Sequence, residues 1–184
     1  MRKNFENKLQ FFPLPVLIIG TFDEFGNPNA MNAAWGGQSD TYEVSICLSE
    51  HKTTDNLKIN DSFTVAFATV DTLAESDYFG IVSGKNENKI EKTGFEYIKG
   101  KYVNAPIFLN YPVTLECKVK SFLNERLVGE VLNMSVDENY LTKEGYIDYD
   151  KCGFISYDPV KHTYRKLGKV VGYAFKDGKK IINK

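Results

Sequence analysis

The clearest pattern in this chain is Val113-Thr114-Leu115-Glu116-Cys117-Lys118-Val119-Lys120. Its apolar members recur at every second position, which is the period of a β-strand with one buried face. We therefore expect Val113, Leu115, Cys117 and Val119 to point inward and the charged residues to face solvent. Asn124-Glu125-Arg126 then supplies turn residues before another β-rich stretch, Leu127 to Val136. A long hairpin is predicted.

Further strands are predicted on the N-terminal side of this hairpin. From Ser62 to Ala68, Phe, Val and Phe alternate with Thr and Ala, which again indicates period two. Val16 to Ile19 is apolar without alternation, as in a strand covered on both faces, and Asp23 to Asn27 carries turn residues. Two more strands are predicted from Asn29 to Trp35 and from Val44 to Leu48.

Three short helices and a C-terminal hairpin complete the predicted elements. The helices are Thr53 to Ile59, Leu73 to Phe79 and Asn86 to Lys92. The hairpin joins Val170–Phe175 to Lys179–Ile182 through Asp177-Gly178. Seven or eight short strands with few helices favour a mainly β fold, and a closed barrel over a βαβ sheet.

Composition sets further bounds. The 184 residues can close one sizeable core, and no internal boundary is visible, so one domain over residues 1–184 is expected. Because 23 Lys and Arg balance 24 Asp and Glu, neither nucleic acid nor an anionic membrane surface is an expected partner. Cys47, Cys117 and Cys152 fit neither a disulfide framework nor a zinc site, which favours a reducing, cytoplasmic location.

The common catalytic signatures are missing from the sequence. There is no G-x-G-x-x-G, P-loop, H-E-x-x-H or G-x-S-x-G pattern, and His51 and His162 are the only histidines. We therefore assign no catalytic side chain and no metal ligand.

Four short patterns carry the remaining chemistry. Asn29 to Gly37 offers small residues, amides and Trp35, which suit a flat ligand. Ser49 to Asn56 offers hydroxyls, Lys52 and a helix start, which suit a phosphate. Tyr78 to Lys89 contains a Ser-Gly turn before a lysine-bearing helix, and Tyr164 to Phe175 is the last pattern.

Each pattern also has a plainer interpretation. The first is typical of a strand that ends in a Gly-Gly turn, and the second of a solvated helix cap. Asn86 to Lys92 resembles an exposed helix face with mixed charges. For Tyr164 packing is the expected role, and for His162 a position on the surface.

In order and wording, the four patterns resemble the flavin reductase-like family, the FMN-binding split barrels that include flavoredoxin. The resemblance extends from about Pro13 to Phe175. It implies a split β-barrel of Greek-key type with a few short helices. It also implies FMN as the cofactor and a homodimer in which some of the binding residues act on the partner's flavin.

The resemblance further implies which residues bind the cofactor. The amides of Asn32 and Ala33 would lie near the polar edge of the flavin, with Trp35 beside the ring and Lys89 completing the pocket. The full set of implied FMN-binding residues is Asn29, Met31, Asn32, Ala33, Ala34, Trp35, Ser49, His51, Lys52, Thr53, Thr54, Ser83, Gly84 and Lys89.

Three functions remain open at this point. The first is an NAD(P)H:flavin reductase type of oxidoreductase, in which NADH or NADPH donates hydride and the flavin carries the chemistry. The second is a flavoredoxin-like electron carrier that serves a redox protein partner and has no nicotinamide site. The third is a barrel that binds a ligand without turnover.

Overall fold

Seven antiparallel strands form the main sheet of the protein, in a computed structural model that describes residues 1–6 and 11–182. In chain order the strands are β1 (Leu14–Pro15), β2 (Leu17–Phe22), β3 (Pro28–Ala33), β4 (Gly36–Asp40), β5 (Glu43–Cys47), β6 (Ser62–Phe67), β7 (Tyr97–Lys99), β8 (Pro106–Phe108), β9 (Val113–Leu123), β10 (Arg126–Val136), β11 (Ile155–Asp158) and β12 (Thr163–Lys166). The helices are α1 (Lys52–Ile59), α2 (Leu73–Ile81), α3 (Lys89–Thr93), α4 (Tyr149–Cys152) and α5 (Lys179–Ile182), with a 3-10 turn at Glu138–Tyr140.

The main sheet is curled into a half-barrel. Its strand order is β3-β2-β6-β9-β10-β5-β4, so the two edge strands follow one another in the chain. Only Ala34 and Trp35 separate them, and three Cα steps span at most about 11 Å. The sheet must therefore curl until its edges approach each other. The predicted split β-barrel is confirmed, and the split runs between β3 and β4.

Two apolar cores lie on opposite faces of the sheet. Along β2, Leu17 and Ile19 join the core inside the curl, whereas Ile18 joins the core under the helices. This explains why the apolar run at Val16 to Ile19 does not alternate, since both faces of the strand are covered. In β6, likewise, Phe63 and Val65 enter the inner core and Ala66 the outer one.

The long hairpin is confirmed as β9 and β10. Asn124 and Glu125 turn the chain with φ of 49° and 62°, the conformation of a tight hairpin turn. One detail of the prediction is wrong, because Glu116 is only 1% exposed. Its carboxylate accepts hydrogen bonds from the Tyr102 N–H and from Asn133 Nδ2, both at 2.8 Å. A loop distant in sequence covers this face, which the alternation of β9 alone does not reveal.

The C-terminal hairpin prediction is wrong. Residues 167–178 form no strand, and Lys179–Ile182 is helical. The Asp177 carboxylate accepts a hydrogen bond from the Tyr173 N–H at 2.7 Å and so closes a local turn. Because this segment is exposed, no neighbouring strand pairs with it.

The three predicted helices exist with shifted ends, as α1, α2 and α3. The third is the shortest, because Asn88 caps Glu91 N and the helix begins only at Lys89. Small sheets formed by β1-β11-β12 and β7-β8 were not predicted. In the described ranges, no helix combines the length and the apolar character needed to cross a membrane.

Candidate functional site

A wide cleft of about 590 Å³ lies along the split of the barrel. The end of β3 and the link to β4 form one wall, with Ala33, Ala34 and Trp35. The segment after β5 and the C-terminal end of α2 form the facing sides. Trp35 remains 65% exposed at the rim, so the cleft is open on this side.

A narrow pocket of about 120 Å³ continues from the wide cleft. Met31, Asn32 and His51 line both spaces, which makes them one continuous depression. The narrow pocket is bordered by Lys52 at the start of α1 and by Lys89 at the start of α3. One end of the depression is thus wide and flanked by small residues, and the other is narrow and cationic.

Thirteen of the fourteen residues predicted for the site line this depression. The wide cleft contains Ala33, Ala34, Trp35 and Ser49, the narrow pocket contains Asn29, Lys52, Thr53, Ser83, Gly84 and Lys89, and both contain Met31, Asn32 and His51. Thr54 lines neither space. Its hydroxyl accepts from His51 N at 2.9 Å and donates to the His51 carbonyl at 2.8 Å, so it fixes the first turn of α1.

Hydrogen bonds hold the first and second patterns together. Asn29 Nδ2 donates to Thr53 Oγ1 at 2.7 Å in the buried floor of the narrow pocket. This contact joins β3 to the start of α1, although the two residues are 24 positions apart in sequence. The floor is therefore fixed by buried polar groups that satisfy each other.

The third pattern closes over the same floor. A Cβ on Gly84 would lie 2.1 Å from Asn29 Oδ1, so only glycine allows this loop to approach so closely. Beside it, Lys85 forms a 2.7 Å ion pair with Asp55 of α1. Stretches far apart in sequence thus converge on one pocket.

Lys89 is the most unusual charge in the narrow pocket. The residue is 4% exposed, and its Nζ donates to the Phe79 carbonyl at 3.0 Å. In residues 1–6 and 11–182, no carboxylate lies within 4 Å of this ammonium group. Burial lowers the pKa of Lys89 to about 8. Within the same described residues, the acidic partner of Lys52 is Asp23, at 3.9 Å. The pocket therefore has two cations with capacity for an anion.

A polar wall of the wide cleft was not predicted. Tyr157 Oη lies 2.7 Å from His162 Nδ1, and Tyr164 Oη donates to Asp77 Oδ1 at 2.6 Å. All four residues line the wide cleft. His162 is exposed, as predicted, but it also lies in the cleft wall. Tyr164 packs against the core, as predicted, and also faces the cleft. The only sequence signal was that Tyr164 opens the fourth pattern; the exposed remainder of that pattern does not line the cleft.

Further lining residues were not predicted, either because they lie outside the four patterns or because, as at residues 79–82, they form the apolar part of the third pattern. They are Cys47, Leu48, Phe79, Gly80, Ile81, Val82 and Glu125. In the part of the chain that the structure describes, no three His, Cys, Asp or Glu side chains lie close enough to hold a metal ion.

Residues 9–153 match the model of the flavin reductase like domain. The chain belongs to the flavin reductase-like family. This confirms the resemblance drawn from the four patterns, since the matched range contains the first three of them.

Flavin reductase-like structures that resemble this one include two flavoredoxins. Flavoredoxin of Desulfovibrio vulgaris (Miyazaki F) is 28% identical, with a TM-score of 0.93 over 97% of this chain and 100% of its own. Flavoredoxin from Methanosarcina acetivorans is 26% identical, with a TM-score of 0.89 over 98% of this chain and 99% of its own. An uncharacterized protein of Archaeoglobus fulgidus is 27% identical over 81% of this chain and 88% of its own length.

Proposed function

We propose that this member of the flavin reductase-like family binds FMN along the continuous depression and transfers electrons through it. The observation that carries the proposal is the joining of a wide cleft, walled by Ala33, Ala34 and Trp35, to a narrow pocket with two lysines. A flat ring with a phosphorylated tail has this same division between a planar apolar part and a charged end.

The narrow pocket fits the phosphate end of FMN. Lys89 has no carboxylate partner among the described residues, and Lys52 has one at only 3.9 Å. An anion held between them gains charge-assisted hydrogen bonds, and the start of α1 adds a favourable helix dipole. Ser83 and Gly84 bring the loop after α2 close enough to enclose it.

The wide cleft fits the flavin ring. Ala33 and Ala34 leave room above the backbone, and the exposed Trp35 indole offers an aromatic face or edge at the rim. When bound, FMN supplies the hydride and electron chemistry itself, which is consistent with the absence of a catalytic signature in the sequence. The protein orients the ring and controls the charge around it.

Binding is tested by titrating the protein with FMN and with riboflavin, which lacks the phosphate. We expect one FMN per chain and tighter binding of FMN than of riboflavin. Trp35→Ala should weaken both ligands, whereas Lys52→Ala should weaken only FMN, by about tenfold or more because a charged hydrogen bond is lost. Lys58→Ala is the matched control, since Lys58 lies on α1 outside the depression. If Trp35→Ala and Lys52→Ala both bind normally, the assignment is wrong.

For the electron donor we propose a nicotinamide, NADH or NADPH, as in an NAD(P)H:flavin reductase type of oxidoreductase. The wide cleft supports this, because the small side chains of Ala33, Ala34 and Gly80 leave space for a second planar ring. Rapid anaerobic bleaching of the yellow FMN-loaded protein by either nucleotide is expected. No bleaching with either nucleotide would exclude this donor.

A flavoredoxin-like electron carrier is the second candidate. It is supported by the likeness to the two flavoredoxins and by the absence of Lys or Arg from the lining that the described residues give the wide cleft. The diphosphate of a nicotinamide dinucleotide usually needs such cations. Reduction by a ferredoxin but not by NADH or NADPH would favour this candidate. A colourless protein that takes up no FMN would instead support a barrel without turnover.

We also propose that the protein is a cytoplasmic homodimer. Cys47, Cys117 and Cys152 are all free, which supports a reducing compartment. An apolar groove of about 880 Å³ contains exposed side chains such as Leu132 and Met134 and borders Gly37, close to Trp35 at the cleft rim. A second copy in this groove would cover apolar surface and shield the open side of the cleft.

A further inference from the structure

Two tyrosines of the unpredicted wall face the wide cleft in different hydrogen-bonding states. Tyr164 Oη lies 2.6 Å from a carboxylate oxygen of Asp77, and Tyr157 Oη lies 2.7 Å from His162 Nδ1. Their rings are neighbours, with centroids 5.8 Å apart. The chemistry of each partner decides what the phenol can offer to a molecule in the cleft.

Tyr164 has its proton engaged. A carboxylate has no hydrogen to give, so the Tyr164 hydroxyl must donate to Asp77. Burial together with this bond raises the pKa of Tyr164. The residue therefore links β12 to α2 and positions the wall, but its hydrogen is not available to a ligand.

Tyr157 has a partner that can itself be the donor. When the imidazole carries its hydrogen on Nδ1, it donates to Tyr157 Oη, and the phenolic hydrogen remains free for the cleft. His162 has a φ of 52°, a left-handed conformation that is uncommon for a residue other than glycine. The preceding turn holds this backbone, because Asp158 Oδ1 accepts from the Val160 and Lys161 N–H groups. A strained loop thus fixes the imidazole against the phenol.

We propose that Tyr157 is a catalytic proton donor, positioned by His162, for a planar acceptor of the quinone class that binds in the wide cleft. The inference rests on the proposed function, which supplies the reductant. Two-electron reduction of a quinone forms two O–H bonds. With FMN bound and reduced, the cofactor would supply a hydride to one oxygen and Tyr157 would give its proton to the other, so that the products would be a hydroquinone and the oxidised cofactor.

The Tyr157–His162 pair also explains how Tyr157 regains its proton after the reaction. The Tyr157 phenolate is stabilised by the Nδ1–H of His162, in a bond that strengthens as the negative charge forms. Because His162 is exposed, water reaches this end of the wall and returns a proton to Tyr157 after the product leaves. No additional reductant or base is needed.

The kinetic test compares an acceptor that takes up protons with one that does not. The FMN of the loaded wild type and of Tyr157→Phe, His162→Ala and Tyr146→Phe is first reduced with dithionite under anaerobic conditions, and each reduced protein is then mixed with duroquinone or with ferricyanide. Tyr157→Phe should reduce duroquinone at least tenfold more slowly, because general acids typically contribute about 10²- to 10⁴-fold. Its ferricyanide rate should change by less than about twofold. His162→Ala should show the same selective loss, and the exposed Tyr146, outside the cleft, serves as the matched control.

A spectroscopic test examines the hydrogen bond without turnover. The ¹⁵N shifts of the neutral His162 ring in the oxidised, FMN-loaded protein should show the hydrogen on Nδ1, and Tyr157→Phe should shift the ring toward the other tautomer. A hydrogen on Nε2 in the wild type would mean that Tyr157 donates to the imidazole, and this result would overturn the proposal.

The outcomes separate this inference from the proposed function. If the wild type takes up no FMN, the proposed function fails first. If FMN binds and ferricyanide is reduced, but duroquinone is not reduced or Tyr157→Phe reduces both at wild-type rates, only the inference on Tyr157 fails.

Discussion

Lys89 is a buried cation, and its burial lowers the stability of the FMN-free protein. A bound anion would offset this cost. Among residues 1–6 and 11–182, the Nζ of Lys89 has one hydrogen-bond acceptor, the Phe79 carbonyl, and burial lowers its pKa to about 8. The unfolded chain, with an ordinary lysine pKa near 10.4, binds more protons than the folded one between pH 8 and that value. The free energy of unfolding should therefore rise with pH across this window.

We predict that Lys89→Met stabilises the FMN-free protein and weakens FMN binding. Removing the desolvated charge should raise the free energy of unfolding by roughly 1–3 kcal/mol, since each unit of pKa shift corresponds to about 1.4 kcal/mol. The difference from wild type should shrink as pH rises from 7 to 10. FMN affinity should fall about tenfold or more.

Thermal unfolding and FMN titration at several pH values measure both effects of Lys89→Met. Lys92→Met is the control, because Lys92 lies on the same helix but is exposed and pairs with Glu87. A Lys89→Met protein that is less stable at pH 7 and binds FMN normally would show that the lysine is a structural residue.

For individual residues, the sequence predicted the narrow, cationic pocket better than the polar wall of the wide cleft. Lys52 and Gly84 belong to local sequence patterns that by themselves indicate a ligand site. Tyr157 and His162 do not, because their role depends on a hydrogen bond across a strained loop. Thr54 was predicted to bind FMN because its pattern offers a hydroxyl. In the structure this hydroxyl instead accepts a hydrogen bond from His51 N at the start of α1.

Among the elements, strands were predictable where packing is regular along the chain. Alternation correctly identified β6 and β9, which lie in the middle of the sheet. The two-residue β1 and the three-residue β7 were missed, because such short strands depend on their partners rather than on their own pattern. The prediction of a C-terminal hairpin was wrong for the same physical reason. Turn residues follow Val170–Phe175, but no strand pairs with this segment in the described residues.

The approach of β10 to β6 gives a test of the inner core. A Cβ on Gly129 would lie 2.3 Å from Phe63 Cζ, and Phe63 is fully buried. Gly129→Ala should therefore lower the free energy of unfolding by about 1–3 kcal/mol, the usual cost of overpacking. Gly178→Ala, whose new Cβ would have no heavy atom of the described residues within 4 Å, should change it little. Chemical denaturation measures both, and equal stability of the two variants would contradict this packing.

In the whole molecule, the site follows from how the sheet closes. The chain passes from one edge strand to the other through Ala34 and Trp35, and the cleft opens at that passage. Local patterns predicted six of the seven strands of the main sheet and thirteen of the lining residues, but neither β4 nor which strands are the edges. That information lies in pairings such as β5 with β10, which join residues about 80 positions apart.

A second whole-molecule prediction concerns assembly. Light scattering should give twice the 20.9 kDa chain mass. Met134→Glu places a charge in the apolar groove and should produce monomers that bind FMN more weakly, whereas Val160→Glu, outside the groove, should remain dimeric. A wild-type monomer that binds FMN tightly would contradict the proposed homodimer.

A crystal structure of the protein saturated with FMN would show where the cofactor lies. We expect the phosphate in the narrow pocket between Lys52 and Lys89, and the flavin ring in the wide cleft beside Ala33, Ala34 and Trp35. FMN bound outside this depression, or a cleft filled by the protein's own side chains while FMN is bound elsewhere, would contradict this expectation.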